Sequence, residues 1–152
     1  VWDIAIGEIA WSQIRGGLYA AAFLLVALVM GVLQSWWAIL ALPAALLIGI
    51  AFGAAGFATT TFLKSWQDFD LINLVMMPLF LFSATFYPLD VYPPVLRTIA
   101  QISPLYHGVE IIRALTLGIV DSGIFVHIAF LVVMTLIGFA ITARRLERLL
   151  KA

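Results

Sequence analysis

Three ionisable residues lie three positions apart in the last third of the chain: His107, Glu110 and Arg113. On a helix, side chains at this spacing are neighbours and drift slowly around one face. His107 and Glu110 could both ligate a metal ion, but no third or fourth ligand lies nearby, so we expect no metal site and no catalytic residue. We favour a Glu110–Arg113 ion pair, because charge in apolar surroundings is costly unless it is paired. A role in guiding a polar headgroup or gating its release stays open.

His127 is the second of two histidines and stands alone in a long apolar segment. We favour a neutral imidazole that hydrogen-bonds a neighbouring helix or reaches the membrane interface. Proton coupling is the alternative, but a proton relay normally includes an acidic partner within the membrane. None of the segments predicted below to span the membrane contains Asp or Glu, which argues against transport driven by an ion gradient.

The composition indicates an integral membrane protein. Of 152 residues, 64% are apolar and 11% are charged, whereas about a quarter of the residues of a soluble domain are charged. The mean hydropathy is +1.14. Because the formal net charge is zero, nucleic acid is not expected as a partner, and the absence of cysteine excludes thiol chemistry and disulfides from this sequence.

Four segments are long and apolar enough to cross about 30 Å of hydrocarbon as helices. We predict an all-α bundle in a single transmembrane domain, 1–152, with spans at 17–33, 36–63, 71–88 and 123–143. The second span is rich in Gly and Ala, which allow close helix packing, so it should face other helices more than lipid. The chain starts at Val1 rather than Met, and we expect it to be N-terminally incomplete.

The basic residues predict the orientation. Six of the eight Lys and Arg residues fall on one side of this topology and two on the other, and the richer side is normally cytoplasmic. This places the segment 1–16, the loop 64–70 and the basic tail 144–152 in the cytoplasm. The region 90–122 then lies on the outer face of a cell membrane.

The region 91–118 should form a re-entrant hairpin of two short helices. Pro93 and Pro94 suit the first turn of one helix, and Pro104 that of the next, because a first turn needs no backbone donor. Gly118 is typical of a helix end. Neither helix is long enough to cross the membrane, so the two should dip into the outer leaflet and return, or lie in its surface.

The cytoplasmic side offers charged residues that could contact a soluble partner. They are Asp3 and Glu8 in the N-terminal interfacial segment, and Lys64, Asp68 and Asp70 in the loop between the second and third spans. The same residues could equally form a lipid-surface elbow and a simple chain turn. For the basic tail we favour an anchor on anionic lipid headgroups.

The region from Ser83 to Gly118 resembles the C-terminal signature of type-2 ABC exporter membrane subunits. It is most similar to the branch of the nodulation lipo-oligosaccharide exporter permease and the daunorubicin-type drug-resistance permeases. The shared elements are S-x-x-F-x-P-L, L-R-x-I-A, P-L-x-H-x-V-E and R-A-L-x-x-G, which begin here at Ser83, Leu96, Pro104 and Arg113. A weaker similarity extends from Ile6 to Arg15.

The resemblance implies a bacterial permease subunit with six spans, of which this chain holds the last four. It also implies a second permease copy or half, and a dimer of cytoplasmic ABC ATPase subunits that carries the ATP and Mg²⁺. The chain itself lacks the G-x-x-x-x-G-K-[ST] phosphate loop, so it should bind no cofactor and hydrolyse no ATP. In such exporters the hairpin caps the pathway on the outer side, with gate candidates at Pro88, Arg97, Pro104, His107, Glu110 and Arg113.

The sequence thus predicts a permease of an ATP-driven exporter for an amphipathic or lipid-linked substrate, either a drug-like molecule or a glycolipid. A non-transporting membrane scaffold or assembly subunit is the alternative. A membrane-embedded hydrolase using His107 and Glu110 is a third hypothesis, which lacks a nucleophile.

Overall fold

The computed structural model describes residues 2–151, so the terminal residues of the predicted segments 1–16 and 144–152 lie outside the description. Within this range the secondary structure is helical. The α-helices are α1 (Trp2–Val29), α2 (Ala41–Thr60), α3 (Asp68–Leu81), α4 (Pro94–Ile102), α5 (Pro104–Leu117) and α6 (Gly123–Lys151). Three helical stretches in the described chain are long and apolar enough to span a membrane: Ile6–Val29, Trp36–Thr60 and Gly123–Lys151.

Helix α1 joins the predicted interfacial segment and the first predicted span without a break. It ends in a Schellman motif, in which the amide of Val32 donates to the Ala27 carbonyl and that of Gly31 to the Leu28 carbonyl, both at 3.0 Å. Gly31 has φ +70°, a conformation that glycine adopts without a Cβ penalty. The helix therefore stops at Val29 rather than at 33.

Helix α2 lies at the centre of the bundle and contacts α1, α5 and α6. A 3₁₀ turn, Trp36–Leu40, precedes it and is capped by the hydroxyl of Ser35, which accepts from the Trp37 amide at 3.2 Å. Four alanines of α2 are buried: Ala41, Ala51, Ala54 and Ala58. The small-residue face of this segment therefore packs against other helices, as its composition predicts.

Two glycines allow other helices to approach α2 closely. A Cβ at Gly138 of α6 would lie 2.7 Å from the Ala54 backbone. At Gly49, a Cβ would lie 3.0 Å from the side chain of Gln13 in α1. When the Gln13 amide is oriented to satisfy both partners, it donates to the Leu46 carbonyl at 3.1 Å and accepts from the Ile50 amide at 3.2 Å.

Helix α3 is shorter than the predicted third span. It covers 14 residues, or about 21 Å at 1.5 Å per residue, and ends at Leu81 rather than at 88. Pro78 has no amide hydrogen to continue the backbone ladder, and the chain leaves the helix one turn later. The predicted count of four spans is therefore not reproduced by helix length, because α3 is too short to be counted with the other three.

The predicted hairpin 91–118 contains two short helices, α4 and α5, joined at Ser103. Each begins with a proline in its first turn, and Gly118 ends α5 with φ +76°. This confirms the helical content that the prolines and glycine predict. The extracellular and re-entrant placement stays a prediction.

Two hydrogen bonds assign the loops to opposite ends of the bundle. At one end, the Gln34 amide donates to the carbonyl of Thr116 in α5 at 3.1 Å. At the other, Arg145 Nη2 donates to the carbonyl of Thr61 after α2, also at 3.1 Å. The hairpin thus shares an end with the α1–α2 connection, and the basic end of α6 shares the other with the α2–α3 loop, as the predicted topology requires.

Candidate functional site

Arg113 links the hairpin to the end of α3. Its Nη1 donates to Glu110 Oε1 at 2.8 Å within α5, which is the ion pair that the spacing predicts. Its Nη2 donates to the carbonyl oxygen of Ala84 at 2.7 Å, a residue 29 positions earlier. We call these three residues the Arg113 network.

Ala84 adopts an uncommon backbone conformation where it meets Arg113. Its φ is +60°, a left-handed value that costs a non-glycine residue about 1–2 kcal/mol. Both Ala84 and Ser83 are fully buried, and the Ser83 hydroxyl bonds the Phe80 carbonyl at 2.8 Å and the Thr85 hydroxyl at 2.6 Å. The end of α3 is therefore a specific, hydrogen-bonded turn.

Arg97 of α4 also bonds backbone carbonyls, in the turn that follows along the chain. Its Nε donates to the Leu89 carbonyl at 3.3 Å and its Nη2 to the Asp90 carbonyl at 3.2 Å. The carboxylate of Asp90 lies 3.9 Å away and is almost fully exposed, so the ion pair itself contributes little. Pro88 immediately precedes this turn with ψ 148°. Arg97 thus fixes the path of the chain from α3 into the hairpin.

The two histidines of the chain meet between α5 and α6. His107 Nδ1 and His127 Nδ1 are 2.7 Å apart, which confirms that His127 hydrogen-bonds a neighbouring helix. The His107 ring stacks on Phe130 with centroids 3.9 Å apart and is 8% exposed. Burial lowers the pKa of His107, and the adjacent His127 lowers it further, against an opposing effect of the Gln101 backbone.

The predicted gate residues face different cavities. Two of them, Glu110 and Arg113, line a polar cavity of about 260 Å³, to which His127 and Asp121 also contribute. Pro104 instead lines an apolar cavity of about 900 Å³ between α2 and α6. Arg97 and Pro88 belong to the turn described above. No three His, Asp or Glu side chains within residues 2–151 are arranged to hold a metal ion.

The predicted docking residues lie at the opposite end of the bundle from the hairpin. Asp3 and Glu8 are exposed on α1. The Asp68 carboxylate accepts from the amides of Lys64 at 2.7 Å and Ser65 at 3.0 Å, which closes the α2–α3 loop. These backbone bonds lower the pKa of Asp68.

The same loop continues into α3. Asp70 is exposed in the first turn of this helix. The loop is therefore ordered by its own hydrogen bonds, and its charged side chains remain available to solvent.

Ser83, Ala84 and Asp121 belong to the site and were not among the predicted site residues. Ser83 lies in the S-x-x-F-x-P-L motif, which could have indicated it. Ala84 carries no sequence signal, because an alanine with positive φ is recognisable only in three dimensions.

Comparison with known proteins shows which family the sequence is similar to. The profile of the ABC-2 type transporter family matches residues 1–117. Nodulation protein J of Rhizobium leguminosarum bv. trifolii is 33% identical over 148 residues, which are 96% of this chain and 56% of that protein.

Two further relatives carry the same name. Nodulation protein J of R. leguminosarum bv. viciae is 31% identical and that of Sinorhizobium fredii is 30% identical, each over 96% of this chain and 57% and 56% of those proteins. The chain therefore spans little more than half the length of these curated relatives. No solved structure matches it.

Proposed function

Because the chain belongs to the ABC-2 type transporter family, we propose that it is a permease subunit of an ATP-driven exporter in a bacterial cell membrane. The family match over residues 1–117 carries this proposal. Three helices of spanning length and composition support it. ATP and Mg²⁺ would be bound by a separate ATPase dimer, and a second permease copy or half would complete the pathway.

The substrate we propose is amphipathic or lipid-linked, either a drug-like molecule or a glycolipid. The cavity of about 900 Å³ between α2 and α6 is lined by apolar residues apart from Thr59. A second cavity, of about 560 Å³, lies between α1 and the 3₁₀ turn and is also mainly apolar. Such surfaces suit an acyl chain or an aromatic ring system better than an ion.

We propose that the bundle end formed by the α2–α3 loop and the basic end of α6 is cytoplasmic. Arg144, Arg145, Arg148 and Lys151 at this end support the orientation. Asp3, Glu8, Lys64, Asp68 and Asp70 then lie on the side from which an ATPase dimer would bind. The hairpin lies at the exit side.

At the exit side, the Arg113 network would hold α5 against the end of α3. Because Arg113 bonds the Ala84 carbonyl directly, a movement of α3 would be transmitted to the hairpin through this contact. Glu110 and Arg113 therefore act here as residues that position the hairpin. His107, Pro88, Arg97 and Pro104 would shape the same exit region.

The decisive experiment uses the full protein co-expressed with its ATPase and reconstituted in proteoliposomes. A fluorescent anthracycline and a fluorescent lipo-oligosaccharide serve as probes of the two substrate classes. We expect ATP-dependent movement of one probe, which should stop when the phosphate-loop lysine of the ATPase is substituted. A protein that binds no ATPase, or moves neither probe although the ATPase binds and turns over, would contradict the proposal and favour a scaffold.

A further inference from the structure

The contact between His107 and His127 restricts which ring nitrogens can carry a proton. A neutral imidazole carries one N–H and one acceptor nitrogen, whereas an imidazolium carries two donors and no acceptor. For the two Nδ1 atoms to bond at 2.7 Å, one must donate and the other must accept. The two rings therefore hold different tautomers or differ in charge.

The bond keeps its geometry with either none or one added proton. In the neutral pair, an Nδ1–H of one ring donates to the bare Nδ1 of the other. With one proton added, an imidazolium donates to the neutral partner, and such charge-assisted bonds are the stronger ones. With two protons added, two N–H groups face each other, no acceptor remains, and like charges repel.

The pair lies among aromatic rings, and few charged side chains are near it. His107 stacks on Phe130, and the Tyr106 ring lies 5.4 Å from the His107 ring and 5.7 Å from the His127 ring. The only charged side chains around the cavity next to His127, within the described residues, are Glu110, Arg113 and Asp121. Helix α2, which packs on both α5 and α6, contains no ionisable residue.

We propose that His107 and His127 form a shared-proton pair that fastens α5 to α6 and releases it when both rings are protonated. Acidification at the hairpin end of the bundle would then separate α5 from α6. This inference does not depend on the transport proposal, because it concerns two helices of this chain alone.

The proton count can be measured directly because residues 1–152 contain two histidines. The protein is labelled with ¹⁵N-histidine, placed in lipid nanodiscs with EDTA, and followed by NMR from about pH 8 to about pH 5, the range in which histidine normally titrates. His107→Gln and His127→Gln assign the signals. We expect opposite tautomers at high pH, a scalar coupling between the two Nδ1 atoms, and two protonation steps separated by more than about one pH unit.

Helix separation is measured on the same protein with spin labels. Residues 1–152 contain no cysteine. Labels are placed at Leu117→Cys and Phe125→Cys, whose native side chains are 38% and 70% exposed on α5 and α6. We expect a single distance distribution at high pH and a second, longer one when the second proton binds. The variant His107→Phe keeps an aromatic ring on Phe130 but cannot titrate, so its distances should not change with pH.

Two results would overturn the proposal. One is that both histidines take up protons at the same pH with no loss of contact between the helices. The other is that the pH-dependent separation persists in His107→Phe and in a His107→Phe/His127→Phe double variant. That outcome would assign the response to Glu110 or Asp121 instead.

Discussion

Replacing Arg113 by methionine should destabilise the protein much more than neutralising its ion-pair partner. Methionine keeps the length and the apolar contacts of the arginine stem but has no donor for the Ala84 carbonyl, which lies 2.7 Å from Nη2. Ala84 is fully buried, so its carbonyl loses the one side-chain partner that it has among the described residues, in a strained turn. Glu110→Gln, in contrast, leaves the bond between Arg113 and Ala84 in place.

The magnitudes follow from these two contacts. A hydrogen bond to a charged group contributes about 1.5–3 kcal/mol, and partial exposure of the Arg113 side chain, 37%, favours the lower part of that range. The partly exposed Glu110–Arg113 pair contributes about 0–1 kcal/mol. Arg113→Met loses both contacts, whereas Glu110→Gln loses only the ion pair. We therefore expect losses of about 1.5–3 kcal/mol for Arg113→Met and about 0–1 kcal/mol for Glu110→Gln.

Thermal unfolding in detergent, followed by circular dichroism, measures both variants. The two variants differ by the Ala84 bond, or about 1.5–2 kcal/mol. At about 2–4 °C per kcal/mol for a chain of this size, Arg113→Met should therefore unfold roughly 3–8 °C earlier than Glu110→Gln. The double variant should unfold close to Arg113→Met, since the ion pair is already lost. Equal effects of the two single substitutions would refute the argument, because they would mean that the Ala84 bond contributes nothing.

Three further perturbations test other contacts. Arg145→Met removes the bond to the carbonyl at the end of α2 and the stacking on an aromatic ring 4.1 Å away, and should lower stability in thermal unfolding by about 1–2 kcal/mol; the exposed Arg144→Met is its control. Gly138→Ala places a methyl group against the α2 backbone and should cost about 1–3 kcal/mol, whereas Gly53→Ala, where a Cβ meets nothing within 4 Å, should be tolerated. The backbone bonds to Asp68 favour its carboxylate form and lower its pKa in the folded protein. Their contribution to stability is therefore fully present above the ordinary pKa of 3.8 and is lost as pH falls through the lower pKa of the folded protein. A carboxyl NMR titration that places this pKa at or above 3.8 would contradict the prediction.

Local signals in the sequence accounted for the hairpin well. Pro94, Pro104 and Gly118 act through their own backbone geometry, and the helices begin and end beside them. The ends of α1 and α6 were harder to predict, because a change from polar to apolar residues does not require a break in backbone hydrogen bonding. The interfacial segment and the first span therefore form one helix, α1, and the last span and the basic tail form one helix, α6.

The candidate site was predictable only where its contacts are local. The Glu110–Arg113 pair follows from three-residue spacing on one helix. The bond from Arg113 to Ala84 joins residues 29 apart, and the histidine contact joins residues 20 apart. Helical spacing does not predict either contact. Each depends on how α5 packs against another part of the chain.

The position of α3 explains why the Arg113 network is the critical part of this site. Helix α3 has no buried residue in the described structure, so little apolar packing holds it against the other helices. The bundle core lies among α2, α5 and α6, around Ile111 and Leu131. The Ala84 carbonyl thus ties a weakly packed helix to a well-packed one through a single arginine. Loss of this bond should free α3 and the following turn more than the core, so hydrogen exchange in Arg113→Met should rise more around Ala84 than around Leu131, where it should rise only by the global loss of stability.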